Sequence, residues 1–306
     1  MISFTKYRKI FYAFSLVLII AAIASMVIFG LRLGIEFTGG SVLEVKYKQQ
    51  APVLENIKKQ TDALNLGEVA VQVAGEQRVI LKMKPISEAG KENILQKLEA
   101  LGEIEKGSES FQVIGPVIGK ELKNKTKIVV FLSLLSILVY IAISFRKISR
   151  PVKSWVYGFT GIVALCHDII IPLGVFAWLG RYLGAEITIP IITALLTVFG
   201  YSINDSVVVF DRIRENLFKS KGESFDTIVD ASLNQTLGRS VNTSFTVILV
   251  LLAILLFGGN TLRYFALALL LGVGFGTYSS IFVASLLVVT IFESREKRGL
   301  KRPRRG

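Results

Sequence analysis

The sequence predicts a polytopic α-helical membrane protein with six transmembrane helices, one plus five, and a small α+β domain between the first two. Hydrophobic residues make up 52% of the 306 residues and the mean hydropathy is +0.56. A water-soluble domain of this composition would expose a large apolar surface. Six apolar stretches have lengths near the ~20 residues that cross ~30 Å of hydrocarbon. These stretches are residues 10–30, 128–145, 155–179, 187–210, 241–257 and 264–292.

The first apolar stretch resembles both a signal peptide and a membrane anchor. It has a basic start, and Ala22-Ile23-Ala24 matches the small-x-small cleavage pattern. However, the uncharged run is longer than the core of a signal peptide and continues past that match. We therefore expect an uncleaved anchor, with residues 1–36 forming the N-terminus and the first helix.

Residues 37–122 predict a folded domain with the order strand, helix, strand, strand, helix, strand. Residues 41–48 alternate apolar and polar side chains, and helical periodicity follows Pro52. Residues 69–74 and 78–84 flank a hairpin turn, Ser87 is a candidate N-cap, and residues 110–114 form a last strand. Two such halves predict a ferredoxin-like sheet.

The charge pattern predicts the orientation in the membrane. The net charge is +13, yet residues 41–122 hold 11 Lys and Arg against 12 Asp and Glu, so the surplus lies beside the apolar stretches. It is concentrated before the first span, between the second and third, between the fourth and fifth, and in the tail, residues 295–306. The positive-inside rule then places both termini in the cytoplasm and residues 37–122 outside it. This pattern favours membrane topology over a nucleic-acid partner.

Asp205 lies inside the fourth apolar stretch. An ionised side chain at the bilayer centre costs at least ~2.5 kcal/mol, so a functional role is expected. A buried carboxyl favours its neutral form and a nearby cation favours its ionised form, so an Asp beside a movable Arg can exchange protons. The alternative is a hydrogen bond to a neighbouring span, as in many helix bundles.

Arg239 precedes the fifth apolar stretch, where the ordinary role of such a residue is an interfacial anchor. The hydroxyls of Thr243, Ser244 and Thr246 could hold water or bond to Asp205, and Asn204 is a further polar residue beside it. The predicted role of Asn204, Thr243 and Ser244 is to support the intramembrane acid.

Asp168 is a second acid inside a span, next to His167. It is a candidate relay or water-binding group, and a structural bond to another helix is an equal alternative. Adjacent helical positions point about 100° apart, so His167 and Asp168 are not expected to face one partner. We assign His167 to packing or to pH-sensitive tuning.

Two further patterns concern helix packing. The last span has small residues at every fourth position, including Gly272, Gly276 and Ser280, which favours close helix approach. Residues 224–237 have an amphipathic pattern, which indicates a helix lying along the membrane surface. The first pattern leaves open whether the stripe meets the fourth span or a partner protein.

Four motifs resemble those of the SecD/SecF family of bacterial protein-export membrane proteins, which are related to the resistance-nodulation-division transporters. Residues 200–216 read Gly-Tyr-Ser-Ile-Asn-Asp-Ser-Val-Val-Val-Phe-Asp-Arg-Ile-Arg-Glu-Asn, which is the family's fourth-span motif. Residues 34–40, 234–244 and 276–282 carry three weaker motifs in the family's order. The resemblance implies that Asp205 and Arg239 take part in proton movement.

The resemblance also implies partners and a location. They are SecD, the SecYEG channel, a YajC-like accessory subunit and an unfolded preprotein, at the bacterial cytoplasmic membrane. The implied function is to use the proton-motive force for preprotein translocation and release. The alternatives are a scaffold subunit whose partner handles the protons, or an exporter of small molecules or lipids. The sequence contains no ATP-binding, metal-binding or nucleophile-base motif, so we expect neither enzymatic activity nor a cofactor.

Overall fold

The computed structural model describes residues 2–64, 66–67, 69–144, 152–219 and 222–300. It divides into two compact units. The helical unit comprises Met1–Leu31, Val130–Tyr182 and Pro190–Gly306, and the sheet unit comprises Arg32–Val129 and Leu183–Ile189. Parts of the predicted basic clusters lie outside the described residues, namely Arg146, Lys147, Arg150, Lys221 and tail residues 301–306.

The described helices and strands follow the predicted order along the chain. A 3₁₀ turn at Thr5–Tyr7 precedes the first helix, and a π-helical turn at Ser280–Ala284 separates the last two. The helices are α1 Arg8–Phe29, α2 Ile35–Thr38, α3 Leu54–Asp62, α4 Glu88–Glu99, α5 Pro116–Ser144, α6 Ser154–Leu183, α7 Ile189–Lys219, α8 Phe225–Phe257, α9 Asn260–Ser279 and α10 Ser285–Leu300. The strands are β1 Gly40–Lys46, β2 Ala70–Ala74, β3 Arg78–Met83 and β4 Ser110–Ile114.

Six helical segments in the described ranges are long and apolar enough to cross a membrane. They are Thr5–Phe29, Pro116–Ile141, Trp155–Leu183, Ile189–Lys219, Phe225–Phe257 and Leu262–Arg295. Each overlaps one predicted stretch, so the prediction of six membrane-spanning helices is confirmed at the level of length and composition. The last segment combines α9, the π-helical turn and α10.

The predicted surface helix at residues 224–237 is wrong. These residues form the first turns of α8, a continuous helix of 33 residues. Their apolar side chains Phe225, Ile228, Val229 and Leu233 are buried within the protein. The amphipathic pattern is the same for a helix that packs on protein and for one that lies on lipid, so periodicity could not distinguish them. At 1.5 Å per residue α8 is about 50 Å long, which exceeds the hydrocarbon thickness of ~30 Å.

The sheet unit contains a four-stranded antiparallel sheet with strand order β2-β3-β1-β4. The central strand β1 pairs with β3, where Leu43 lies opposite Leu81, and with β4, where Leu43 lies opposite Phe111. β2 pairs with β3 through the predicted hairpin. Ser87 caps α4 by accepting a hydrogen bond from the backbone amide of Gly90. The element order and the position of the last strand are therefore those expected from the sequence.

One face of the sheet packs against α3 and α4. Leu43 of β1 and Tyr47, which directly follows β1, bury their side chains against Ile57 and Ile94, because alternate residues of an extended chain point to the same face. The hydroxyl of Tyr47 donates a hydrogen bond to the carbonyl of Leu98 at 3.1 Å. Burial raises the pKa of Tyr47 to about 12. The tyrosine hydroxyl is thus kept neutral as a donor inside the core.

The chain enters β1 through two glycines with positive φ angles, Gly39 at 73° and Gly40 at 146°. A Cβ atom on Gly40 would lie 2.9 Å from the carbonyl oxygen of Met83. Side chains are therefore excluded here by both backbone conformation and contact. Just before this turn, the amide of Gly34 donates to the carbonyl of Ile187 at 2.9 Å, which joins Leu183–Ile189 to the sheet unit.

The N-terminal residues of the helical unit bond to the start of α8. Asp230 accepts hydrogen bonds from Ser3 Oγ, Thr5 N and Thr5 Oγ1, each at 2.9 Å. Asn234 pairs with the backbone of Ile2 through Ile2 N to Oδ1 at 2.9 Å and Nδ2 to Ile2 O at 2.8 Å. We call this set the N-terminal clasp. It fixes the start of α8, and α8 contributes to the candidate site described next.

Candidate functional site

Asp205 lies near the middle of α7, a helix of 31 residues. It is half-buried, and its Oδ1 accepts a hydrogen bond from Ser240 Oγ of α8 at 2.5 Å. Its Oδ2 is buried and has no hydrogen-bond partner among the residues that the structure describes. A carboxylate offers about four acceptor positions, so Asp205 is weakly satisfied as an anion.

Arg239 immediately precedes Ser240, but its side chain is exposed. Within the described ranges it makes no ion pair with a carboxylate. Thr243 is also exposed and donates to the carbonyl of Arg239 at 2.9 Å, and Asn204 is exposed on α7. Of the predicted group, Asp205 and Ser244 thus bond across to the other helix, whereas the described structure shows no such bond for Arg239, Asn204 or Thr243.

Ser240 is a residue of the candidate site that the sequence analysis missed. It lies one helical turn before Ser244, and both side chains are buried. Ser244 Oγ bonds to Tyr201 Oη of α7 at 2.9 Å and to Thr277 Oγ1 of α9, and it donates to the carbonyl of Ser240. The spacing of four between the two serines was the available signal for a shared face toward α7.

Asp168 is fully buried in α6 and has three donors. Its Oδ2 accepts hydrogen bonds from Ser202 Oγ of α7 at 2.5 Å and from Ser279 Oγ of α9 at 2.8 Å. Its Oδ1 lies 2.9 Å from Nδ1 of His167, and the His167 ring stacks on Tyr278. The two neighbouring side chains therefore bond to each other, although they were not expected to share a partner. Asp168 links three helices.

The two intramembrane acids differ in the number of side chains that bond to them. Asp168 has donors from three side chains, whereas Asp205 has one and retains a free oxygen in the described part of the chain. Asp168 is therefore the more fully hydrogen-bonded of the two carboxyl groups, and its bonds connect α6 with α7 and α9.

The small-residue stripe of α9 packs against α7. A Cβ atom on Gly272 would lie 2.8 Å from Val198 Cγ1, and one on Gly276 would lie 3.2 Å from Ser202 Cβ. Ser280, in the π-helical turn, donates to the carbonyl of Ser202 at 3.2 Å. The question that the sequence left open is thus answered: the stripe meets the fourth span of the same chain.

The fold and this site define a polytopic helical membrane protein whose bundle encloses two carboxyl groups. A family model described as protein export membrane protein SecD/SecF, C-terminal, matches residues 93–294, and the SecD/SecF GG motif matches residues 24–51. The chain belongs to the SecF branch of the SecD/SecF family.

Similar proteins support this assignment over nearly the whole chain. Protein translocase subunit SecF of Thermobaculum terrenum is 42% identical and covers 95% of this chain and 94% of its own length. SecF of Vibrio alginolyticus is 39% identical and covers 96% and 91%. The crystal structure of SecDF, a translocon-associated membrane protein from Thermus thermophilus, matches with a TM-score of 0.82 and 34% identity. That match covers 95% of this chain, which spans only 38% of the SecDF chain.

Proposed function

We propose that the chain is an accessory subunit of the Sec export machinery that, with SecD, couples the proton-motive force to preprotein translocation and release. The observation that carries this proposal is the half-buried Asp205 carboxyl, which has one donor, Ser240, and one oxygen without a partner among the described residues. Such a group changes its protonation state readily when neighbouring helices shift, because a small change in hydration or charge alters the balance between its two forms.

The energy available from one proton is sufficient to change the arrangement of helices. A unit charge that crosses a potential of ~100 mV releases about 2.3 kcal/mol. That energy changes the ratio of two helix arrangements by roughly fifty-fold. Protonation of Asp205 weakens its acceptance of the hydrogen bond from Ser240, so α7 and α8 are the helices whose contact responds first.

A polar surface on α7 and α8 supports the partnership with SecD. The helical unit exposes four polar side chains near the depth of Asp205, namely those of Asn204, Arg239, Asn242 and Thr243. Exposed polar and charged side chains at this depth are costly against lipid, so a second membrane protein covers them. Arg239 then lies between the two subunits, where movement brings its charge toward Asp205 or away from it.

The remaining parts of the proposal follow from the family and the charge pattern. The chain lies in the bacterial cytoplasmic membrane with both termini cytoplasmic, and the sheet unit acts outside it on the preprotein. The strand order β2-β3-β1-β4 with two helices supports a ferredoxin-like assignment for that unit. The further partners are SecYEG and a YajC-like subunit. The partnership with SecYEG is supported by the similarity to the translocon-associated SecDF of Thermus thermophilus. The chain itself is not an enzyme.

The test is preprotein export into inverted membrane vesicles, with and without a proton gradient, comparing wild type with Asp205→Asn. Asparagine keeps the size of the side chain but cannot exchange a proton. We expect loss of the gradient-dependent part of export at unchanged membrane level and unchanged co-purification of SecD. Asp211→Asn is the matched control, because Asp211 is an exposed acid six residues further along the same helix.

Unchanged gradient-dependent export in Asp205→Asn would contradict the proposal. The chain would then be a scaffold, and its partner would carry the proton chemistry. A growth screen for sensitivity to toxic compounds tests the exporter alternative, for which an altered resistance profile with normal export would be the supporting result.

A further inference from the structure

Four hydroxyl side chains form a buried line along one face of α8. They are Ser232, Thr236, Ser240 and Ser244, and each is at most 4% exposed. Residues four apart lie above one another on a helix, so the four share a face. We call them the hydroxyl stripe. Other hydroxyl side chains of the same helix, such as that of Thr243, are exposed. Hydroxyl residues in α8 are therefore not confined to its buried face.

The hydroxyl stripe faces polar groups of α7 at three levels. Ser244 bonds to Tyr201, Ser240 bonds to Asp205, and Ser232 accepts a hydrogen bond from Asn216 Nδ2 at 2.8 Å. Along these three bonds the residue number increases in α7 and decreases in α8, as expected for two antiparallel helices. From Ser240 to Ser232 the line covers about 12 Å along the axis of α8.

The hydroxyl stripe ends beside an exposed side chain, that of Gln235. Asn216 is 9% exposed and donates both to Ser232 Oγ and, at 3.0 Å, to Oε1 of Gln235, which is exposed. The stripe therefore connects a half-buried carboxyl near the middle of the helices with the surface near the start of α8. In the orientation proposed above, this surface is cytoplasmic.

Building on the proposed proton coupling at Asp205, we propose that the hydroxyl stripe lines the cytoplasmic half of the proton route. The proton leaves the Asp205 carboxyl, which becomes a carboxylate, and passes by way of Ser240, Thr236 and Ser232 to water beside Gln235. Each hydroxyl accepts a proton on a lone pair and releases its own, so no group except Asp205 changes its net protonation.

The proposed route requires water molecules between the hydroxyl groups. Side chains four apart on a helix have Cβ atoms about 5–6 Å apart, which is too far for direct transfer between two hydroxyl groups. Asn216 does not carry the proton. It donates to Ser232 Oγ, which itself donates to the carbonyl of Ile228 at 2.7 Å, and so positions this hydroxyl.

The competing explanation is that the hydroxyls only allow close helix packing. Thr236 distinguishes the two, because its shape and its hydroxyl can be changed separately. Thr236→Val keeps the shape and removes the hydroxyl, whereas Thr236→Ser keeps the hydroxyl and removes a methyl group. A proton route needs the hydroxyl, and packing needs the shape.

The experiment measures gradient-dependent preprotein export and proton release on the cytoplasmic side, followed with a pH-sensitive dye in membranes that contain the complex with SecD. We expect Thr236→Val to lower both by roughly ten-fold and Thr236→Ser to remain near wild type. The matched control is Thr160→Val, because Thr160 is equally buried in α6 and also bonds to a carbonyl of its own helix.

Normal export and proton release in Thr236→Val would overturn the proposal, and so would equal losses in Thr236→Val and Thr236→Ser. If Thr236→Val does not assemble, Ser232→Ala and Ser232→Thr are compared by the same criteria. Asp205→Asn is measured in parallel. Loss in Asp205→Asn with normal Thr236→Val rejects the route alone, whereas normal Asp205→Asn rejects the proton-coupling function itself.

Discussion

At the residue scale, two acids that look alike in the sequence differ in the number of hydrogen bonds they accept. Asp168 and Asp205 both interrupt apolar spans, yet the first has donors from Ser202, Ser279 and His167, and the second has one from Ser240. A buried polar group is stable when hydrogen bonds compensate its lost hydration. The bonds of Asp168 hold α6, α7 and α9 together, whereas the second oxygen of Asp205 has no partner among the described residues.

A glycine prediction also belongs to the residue scale. In Gly272→Ala, the new Cβ atom would lie 2.8 Å from Val198 Cγ1 and closer still to Cγ2, and forcing this contact costs about 1–3 kcal/mol. We expect a lower melting temperature for the purified protein in detergent. Gly274→Ala is the control, since its Cβ atom meets nothing within 4 Å and alanine favours the helix.

The same contact gives a second-site test. Val198→Ala removes the methyl groups that the new Cβ atom meets, so the double variant Gly272→Ala/Val198→Ala should be more stable than the sum of the single effects predicts. Strict additivity would show that the two helices are not in contact at this position.

At the element scale, α8 combines two functions in one continuous helix. Its start is held by the N-terminal clasp through Asp230 and Asn234, and its middle supplies Ser240 to Asp205. About 15 Å of helix separates Asp230 from Ser240. Because an α-helix is stiff over this length, the clasp helps to set the height of Ser240 relative to α7.

The clasp gives a prediction for Asp230→Ala. This change leaves the backbone amide and the hydroxyl of buried Thr5 without their acceptor, and unsatisfied buried donors cost about 1–3 kcal/mol. We expect a lower melting temperature of the full chain. Thr5→Val in the Asp230→Ala background should add little further loss, because the side-chain bond is already absent. An equal effect of Thr5→Val in both backgrounds would contradict the clasp.

At the whole-molecule scale, the orientation of the chain can be tested with single cysteines. The only native cysteine, Cys166, is first replaced by serine. Lys59→Cys then places a thiol at an exposed position of the sheet unit, and Glu223→Cys places one at an exposed position before α8. A membrane-impermeant maleimide added to spheroplasts should label the first and not the second.

Permeabilised cells provide the control for this labelling, because both thiols should then react. Labelling of Glu223→Cys in intact spheroplasts would reverse the orientation predicted from the positive-inside rule. It would also place the end of the hydroxyl stripe on the outer side, in conflict with the direction proposed for proton movement.

The sequence by itself determined the parts of this protein that depend on local pattern. The six spans follow from hydropathy, since a helix must be about 20 apolar residues long to cross the membrane. The strands and helices of the sheet unit follow from side-chain periodicity and capping, as Ser87 at the start of α4 illustrates. Asp205 was recognisable because a charge within an apolar stretch is costly.

Only the tertiary structure decided which side chains meet. Ser240 and Asp205 are 35 positions apart, and Ser3 and Asp230 are 227 apart, so no local pattern pairs them. The tertiary structure also assigned the amphipathic start of α8 to the protein core, because periodicity identifies an apolar face but not its contact. Hydrogen-bond partners, and with them the difference between Asp168 and Asp205, depend on how helices pack, and that packing is set by contacts between distant residues.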